Sequence, residues 1–291
     1  MHLHWQPAFS TSCLHAADAI SRGWPVVDAR LVEALQEPAL ALSREIQELD
    51  IPEARCWRQL LALSAEFESN RDLAEFAVRK TVGGTEVPYA TPHLAGRIDD
   101  LENAMLLAVP KLQEELVLRV RPLQEQWEAR GPGLLKTFAN LTDESLLVDE
   151  AKVLLVHPVL GGGGDAHLTT NAVRIEAVLA NPHPQLPEVV RLAWLLAQLN
   201  CDLPAYSEHI HADRLPHVVR LAILPAILQA AEVVELVPSG AAAVKSALEL
   251  WRFDLPADLD AVTIVQGWWQ TYHASRPRWP VALTALDRLL G

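Results

Sequence analysis

"KVLLVHPVLGGGGDAHLTTNAVRIEAVLAN", Lys152 to Asn181, is where the chain departs from a helical pattern. "KVLLVHPVL" is short, apolar and rich in β-branched residues, as a buried strand requires. "GGGGDAH" interrupts it as a loop. "TTNAVRIEAVLAN" then alternates Val173, Ile175 and Ala177 against Arg174, Glu176 and Val178, the period of a second strand. The stretch predicts a β-hairpin or two strands of a small sheet.

On both sides of it the apolar residues recur at helical spacing. Cys56, Leu60, Leu63 and Phe67 make one stripe, and Leu101, Met105, Ala108, Leu112, Leu116, Leu123 and Trp127 make a longer one. Pro110 and Pro122 predict kinks or a split in the second stripe, and Gly131, Pro132 and Gly133 predict its end. "TVGGTEVPYATPH", Thr81 to His93, reads as a loop. After Pro187 the pattern is helical again, and "LPEVVRLAWLL" (Leu186 to Leu196) returns as "LPHVVRLAILP" (Leu215 to Pro225). Each copy opens on Leu-Pro, and proline suits a first helical turn because its missing amide is not needed there. Two copies without a third predict consecutive core helices rather than a solenoid. The fold class is therefore mainly α with a small β-hairpin or sheet (α+β) and a helical bundle. The expected division is residues 1–130, an N-terminal helical region, and 131–291, the β-hairpin plus helical bundle.

The chain has 291 residues, half of them hydrophobic, which is enough for a large core. Its 24 basic and 37 acidic residues leave a formal charge of −13, which opposes nucleic-acid binding unless basic side chains gather on one face, and no run of them does so along the sequence. Cys13, Cys56 and Cys201 form no CxxC pair, which fits a reducing cytoplasm. The N-terminus lacks the pattern of a secretion signal, and the most apolar window, Val218 to Val237, carries too many polar residues for a membrane span. The expected location is cytoplasmic, with no membrane partner.

Three groups of residues are candidates for chemistry. Glu208, His209, His211, Asp213 and His217 crowd ten residues, and all are ligand types for a divalent transition metal. They would converge only if the segment before Leu215 were a loop, and they read equally as solvated residues capping the next helix. Gly161, Gly162, Gly163 and Gly164, with Asp165 and His167, could turn backbone amides toward an anion, although no Lys-Ser/Thr pair completes a P-loop. The alternative is a flexible connection. Trp268 and Trp269, near Trp279, could stack an aromatic ligand or dock the C-terminal region on the core. Ser239 and Cys201 lack the neighbours of a nucleophile.

The order strand, Gly-rich turn, strand and then the helix "LPEVVRLAWLLAQL" over residues 152–200 resembles the core of zincin-type metalloproteases. The resemblance implies a helix bearing H-E-x-x-H beside an edge strand that holds substrate. The five positions fall on Arg191, Leu192, Ala193, Trp194 and Leu195, and neither a guanidinium nor leucine can replace the zinc ligands or the base. A scaffold without protease activity is what the resemblance then implies. The first functional expectation is a non-catalytic scaffold or interaction protein, with a protein partner or self-association, no nucleic acid and no cofactor. The alternatives are a hydrolase holding one divalent transition metal at Glu208, His209, His211 and His217, helped by His157 or His167, and a small-ligand binder using the C-terminal tryptophans.

Overall fold

The structure is a computed structural model, and it describes residues 1–83, 91–253, 255–256 and 258–291. The chain is mainly α with one small mixed sheet. The order is β1 (His2–Pro7), α1 (Phe9–Ser21), α2 (Ala29–Glu48), α3 (Glu53–Leu63), α4 (Asn70–Val82), α5 (Thr91–Ala108) and α6 (Leu112–Leu141). Then come β2 (Glu150–Val156), β3 (Gly164–His167), β4 (Ala172–Glu176), α7 (Glu188–Leu196), α8 (Pro204–Ser207), α9 (Leu215–Val233), α10 (Ala241–Leu250), α11 (Ala261–Ser275) and α12 (Trp279–Leu290).

Lys152 to Asn181 does form strands, and their pairing is more elaborate than a simple hairpin. The sheet order is β1-β2-β4-β3. β2 and β4 lie side by side and parallel, with Val153 opposite Val173 and Leu155 opposite Ile175. The hairpin is made instead by β3, drawn from the Gly-rich loop, which runs antiparallel to β4 along the sheet edge. Side chains alternate across the sheet: Val153, Leu155, Val173 and Ile175 join the main core, while Leu154, Val156 and Ala172 pack with Ala8 on the other side. Arg174 and Glu176 share the phase of Ala172, so two ionisable side chains stand together on one face of a fully buried strand.

Two departures from the sequence reading concern the N-terminal half. β1 pairs in parallel with β2, His2 opposite Glu150, so residues 1–130 are not purely helical and contribute a strand to the sheet. The chain does divide at Pro110, between α5 and α6, but α6 runs unbroken through Pro122 and past Gly131, Pro132 and Gly133. Gly131 is there because the Trp127 indole lies over it: a Cβ at 131 would stand 2.3 Å from the ring. Glycine four residues after a tryptophan makes room for the ring instead of ending the helix, and position 130 falls inside α6. In the Thr81–His93 loop, positions 84–90 lie outside the described residues; Val82 ends α4, Gly83 caps it with φ +70°, and Thr91 opens α5.

The two similar segments are core helices, α7 and α9. Every residue of α7 is buried. α9 is long and apolar enough to cross a membrane by length and composition, but 67% of that window is buried against the other helices. It packs on α6, α7, α11 and α12, while α7 also covers β3 and β4.

Candidate anion-binding pocket

The Gly-rich loop cradles an anion, and that anion is the chain's own Glu176. Positive φ at Gly161 and Gly162 curls the loop back over β4. The amides of Val159 and Leu160 then donate to Glu176 Oε1 at 2.9 and 2.7 Å, and that of Gly162 donates to Oε2 at 2.6 Å. His15, from α1, donates from Nε2 to Oε1 at 2.8 Å. Burial would raise the pKa of this fully enclosed carboxyl, but the hydrogen bond from His15 and those from the amides of Leu160 and Gly162 outweigh it and bring the pKa to about 2. Burial and the nearby Arg174 lower the pKa of His15, so its ring is neutral near pH 7. A neutral ring that donates from Nε2 accepts at Nδ1, and the Arg174 guanidinium is the donor there. Glu176 thus orients His15, and His15 orients Arg174.

Arg174 opens onto a cavity of about 660 Å³ between α1, the Gly-rich loop, α7, α9 and the end of α10. Six arginines line it, Arg22, Arg58, Arg174, Arg191, Arg220 and Arg252, against two aspartates, Asp18 and Asp165. They lie at two depths. Arg174 and Arg191 are only 6% and 2% exposed, and Arg220 is half-buried over the rings of Trp194 and Phe253, at 5.2 and 5.5 Å. Arg22, Arg58 and Arg252 are exposed at the mouth. Arg191 and Arg220 occupy the same place in the two "VVRLA" segments, so the repeat delivers one guanidinium from each helix to one cavity.

These cations are under-compensated. The Nε atoms of Arg174, Arg191 and Arg220 are buried without a hydrogen-bond partner, as is the indole nitrogen of Trp251, which also lines the cavity. All four are donors. Arg22 is paired with Asp18 at 2.6 Å, while among the described residues no carboxylate pairs with Arg58 or Arg252. Burial raises the Asp165 pKa, yet Arg220, His167 and Arg174 bring it below the usual value, so it is ionised. Behind the wall, Glu188 stands 3.5 Å from Arg191, with neither carboxylate oxygen hydrogen-bonded, and burial lifts its pKa to about 7 despite that arginine.

The residues singled out from sequence fall in several places. Gly162, Gly163, Gly164 and Asp165 do line the cavity. Gly161 turns the loop, and His167 ends β3 buried with Nε2 unpartnered; burial lowers its pKa to about 4. His157 is half-buried in the connection after β2, its amide donating to Ser12 Oγ. Glu208, His209 and His211 are exposed around the end of α8, and His217 is half-buried in the first turn of α9. Among the described residues no group of three or more His, Cys, Asp or Glu side chains is placed to hold a metal ion. Trp268 and Trp269 are buried and donate to the Ala282 carbonyl and to Gln229, both at 2.8 Å, while stacking with Tyr272. They bind α11 to α12 and α9. The arginines escaped the sequence reading because they are scattered from 22 to 252; only the two in "VVRLA", each amid apolar neighbours, carried a signal.

Compared with known proteins, the chain matches no family model, no curated protein and no solved structure.

Proposed function

We propose that this chain is a non-catalytic binding protein that captures an anionic small ligand in the arginine-lined cavity. The observation that carries the reading is six arginines around one cavity in a chain of net charge −13. Guanidinium groups gathered at one cavity repel one another, and an oxyanion supplies both the counter-charge and several acceptors at once. Guanidinium groups suit carboxylate and phosphate oxygens because their donors form a planar fork. His15 and the three cysteines are bonded or buried. Both His15 nitrogens are committed, and burial raises the Cys56 and Cys201 thiols to about 12 and Cys13 well above its usual value. Three free, buried thiols also suit the reducing, cytoplasmic setting that belongs to this proposal.

A zincin-like scaffold, which the element order of residues 152–200 resembles, would fit the same proposal. In it, the position of the first zinc ligand is taken by Arg191, a fixed cation facing the cavity. Positive charge is then built into the protein, where it binds an oxyanion without activating water.

The test is thermal denaturation and calorimetric titration with inorganic phosphate and with citrate, at constant ionic strength against chloride. Stabilisation that grows with ligand as ligand-linked folding requires, and that is lost in Arg220→Gln, is the expected result. Equal stability in phosphate, citrate and chloride would sink the proposal.

A further inference from the structure

The two depths of the arginines specify the ligand beyond its sign. We propose that the cavity takes a compact, multiply phosphorylated small molecule, one phosphate held at the floor by Arg174, Arg191 and Arg220 and another at the mouth by Arg58 and Arg252. This rests on the anion-binding reading above.

Size is the first argument. About 660 Å³ lies within the roughly 300–1,000 Å³ of sites that enclose a whole drug-sized ligand. A single phosphate would leave most of it filled with water. Charge is the second. Arg22 pairs with Asp18 and Arg191 with Glu188, while among the described residues no carboxylate lies within ion-pair distance of Arg58, Arg174, Arg220 or Arg252, more cations than one carboxylate can match. The distribution is the third. The floor donors are buried and the mouth donors are exposed, so a ligand using both must carry its negative groups apart. The same cavity is also lined by the apolar side chains of Leu61, Leu160, Leu250 and Phe253. A non-ionic body between two phosphates fits that combination of surfaces. The Gly-rich loop contributes shape rather than charge, because the Val159, Leu160 and Gly162 amides are already bound to Glu176.

The chemistry has two sources, a nucleotide and a phosphorylated polyol, and they are separable. Calorimetric titrations at constant ionic strength and without divalent ions would compare inorganic phosphate, tripolyphosphate, ATP and inositol hexakisphosphate on the whole chain. The expected result is at least about tenfold tighter binding of a polyphosphate than of inorganic phosphate, a gain that one further charge-assisted contact can supply. ATP binding more tightly than tripolyphosphate assigns a nucleotide, and inositol hexakisphosphate binding more tightly than ATP assigns a polyol; both support the proposal. Arg58→Ala and Arg252→Ala, both at exposed positions, should each weaken polyphosphate binding about tenfold with the thermal transition of the free protein kept as a check on folding, while Arg121→Ala, a surface arginine remote in sequence, should not. Phosphate binding with no gain for any polyphosphate, or a gain that survives both mouth variants, overturns this inference and leaves the anion pocket standing. No binding of any phosphate also overturns this inference, and the anion pocket falls with it only if citrate does not bind either.

Discussion

Replacing Glu176 by Gln changes one oxygen for an amino group and tests whether the loop is organised around a charge. Gln can still accept from Val159 and Leu160, but its amino group then faces the Gly162 amide, which now donates to Oε2 at 2.6 Å. Two donors meet, and an enclosed amide loses its acceptor, a cost of about 1–3 kcal/mol. The ionisation gives a second measure. The carboxyl falls from an ordinary 4.5 to about 2 on folding, roughly 3 kcal/mol in favour of the folded state near neutral pH. Because the folded pKa is the lower one, this contribution is complete above about pH 4.5 and disappears as the pH falls through about 2. Urea unfolding of both proteins should therefore show a deficit of about 3 kcal/mol for Glu176→Gln at pH 7, with an unchanged slope, shrinking to roughly half near pH 3. A deficit below about 1 kcal/mol at pH 7, or one that stays constant down to pH 3, would refute the account of the cradle.

Three further outcomes follow from buried groups. Glu188 has a folded pKa raised to about 7, so its contribution is present below about 4.5 and lost as the pH rises through 7; stability measured against pH should move in favour of Glu188→Gln by about 3 kcal/mol between pH 5 and 8, and parallel curves would contradict this. Gly164→Ala would place a Cβ 2.5 Å from the Arg174 carbonyl oxygen and 2.8 Å from Leu195 Cδ1, and should cost about 1–3 kcal/mol of unfolding free energy with weakened phosphate binding; wild-type stability would mean that β3 lies elsewhere. Trp268→Ala should lose about 3–5 kcal/mol in denaturant titration, since the ring is buried and its nitrogen is bonded to Ala282; a stable variant with altered ligand binding would instead favour a binding role for this tryptophan.

The parts of the fold that were legible in sequence are those with a local period. Leu101, Met105, Leu112, Leu116, Leu123 and Trp127 repeat at helical spacing and are buried, and Val173 and Ile175 alternate as a strand and pair as one. What was not legible depends on partners distant in the chain. Leu3 and Trp5 alternate with His2 and His4, but nothing nearby says that Ala151 and Val153 lie beside them. Gly131 looks like a helix end until the Trp127 ring is seen above it. The density of histidines at 209–217 is local and draws the eye, yet among the described residues no group placed to hold a metal forms, whereas six arginines spread over 230 positions meet at one cavity. At the Gly-rich loop the amides of Val159, Leu160 and Gly162 gather around the carboxylate of the next strand, a partner the loop's own sequence does not show.

The pairing of β1 with β2 also has a consequence for biosynthesis. His2–Pro7 leaves the ribosome long before Glu150–Val156 exists, and at about 5–20 residues per second the wait is roughly ten to thirty seconds. During that time α1 to α5 can collapse on one another, while a strand with unsatisfied amides on both edges has no sheet to join. The nascent chain therefore carries an unpaired strand until β2 has been made, a natural target for chaperones acting during translation.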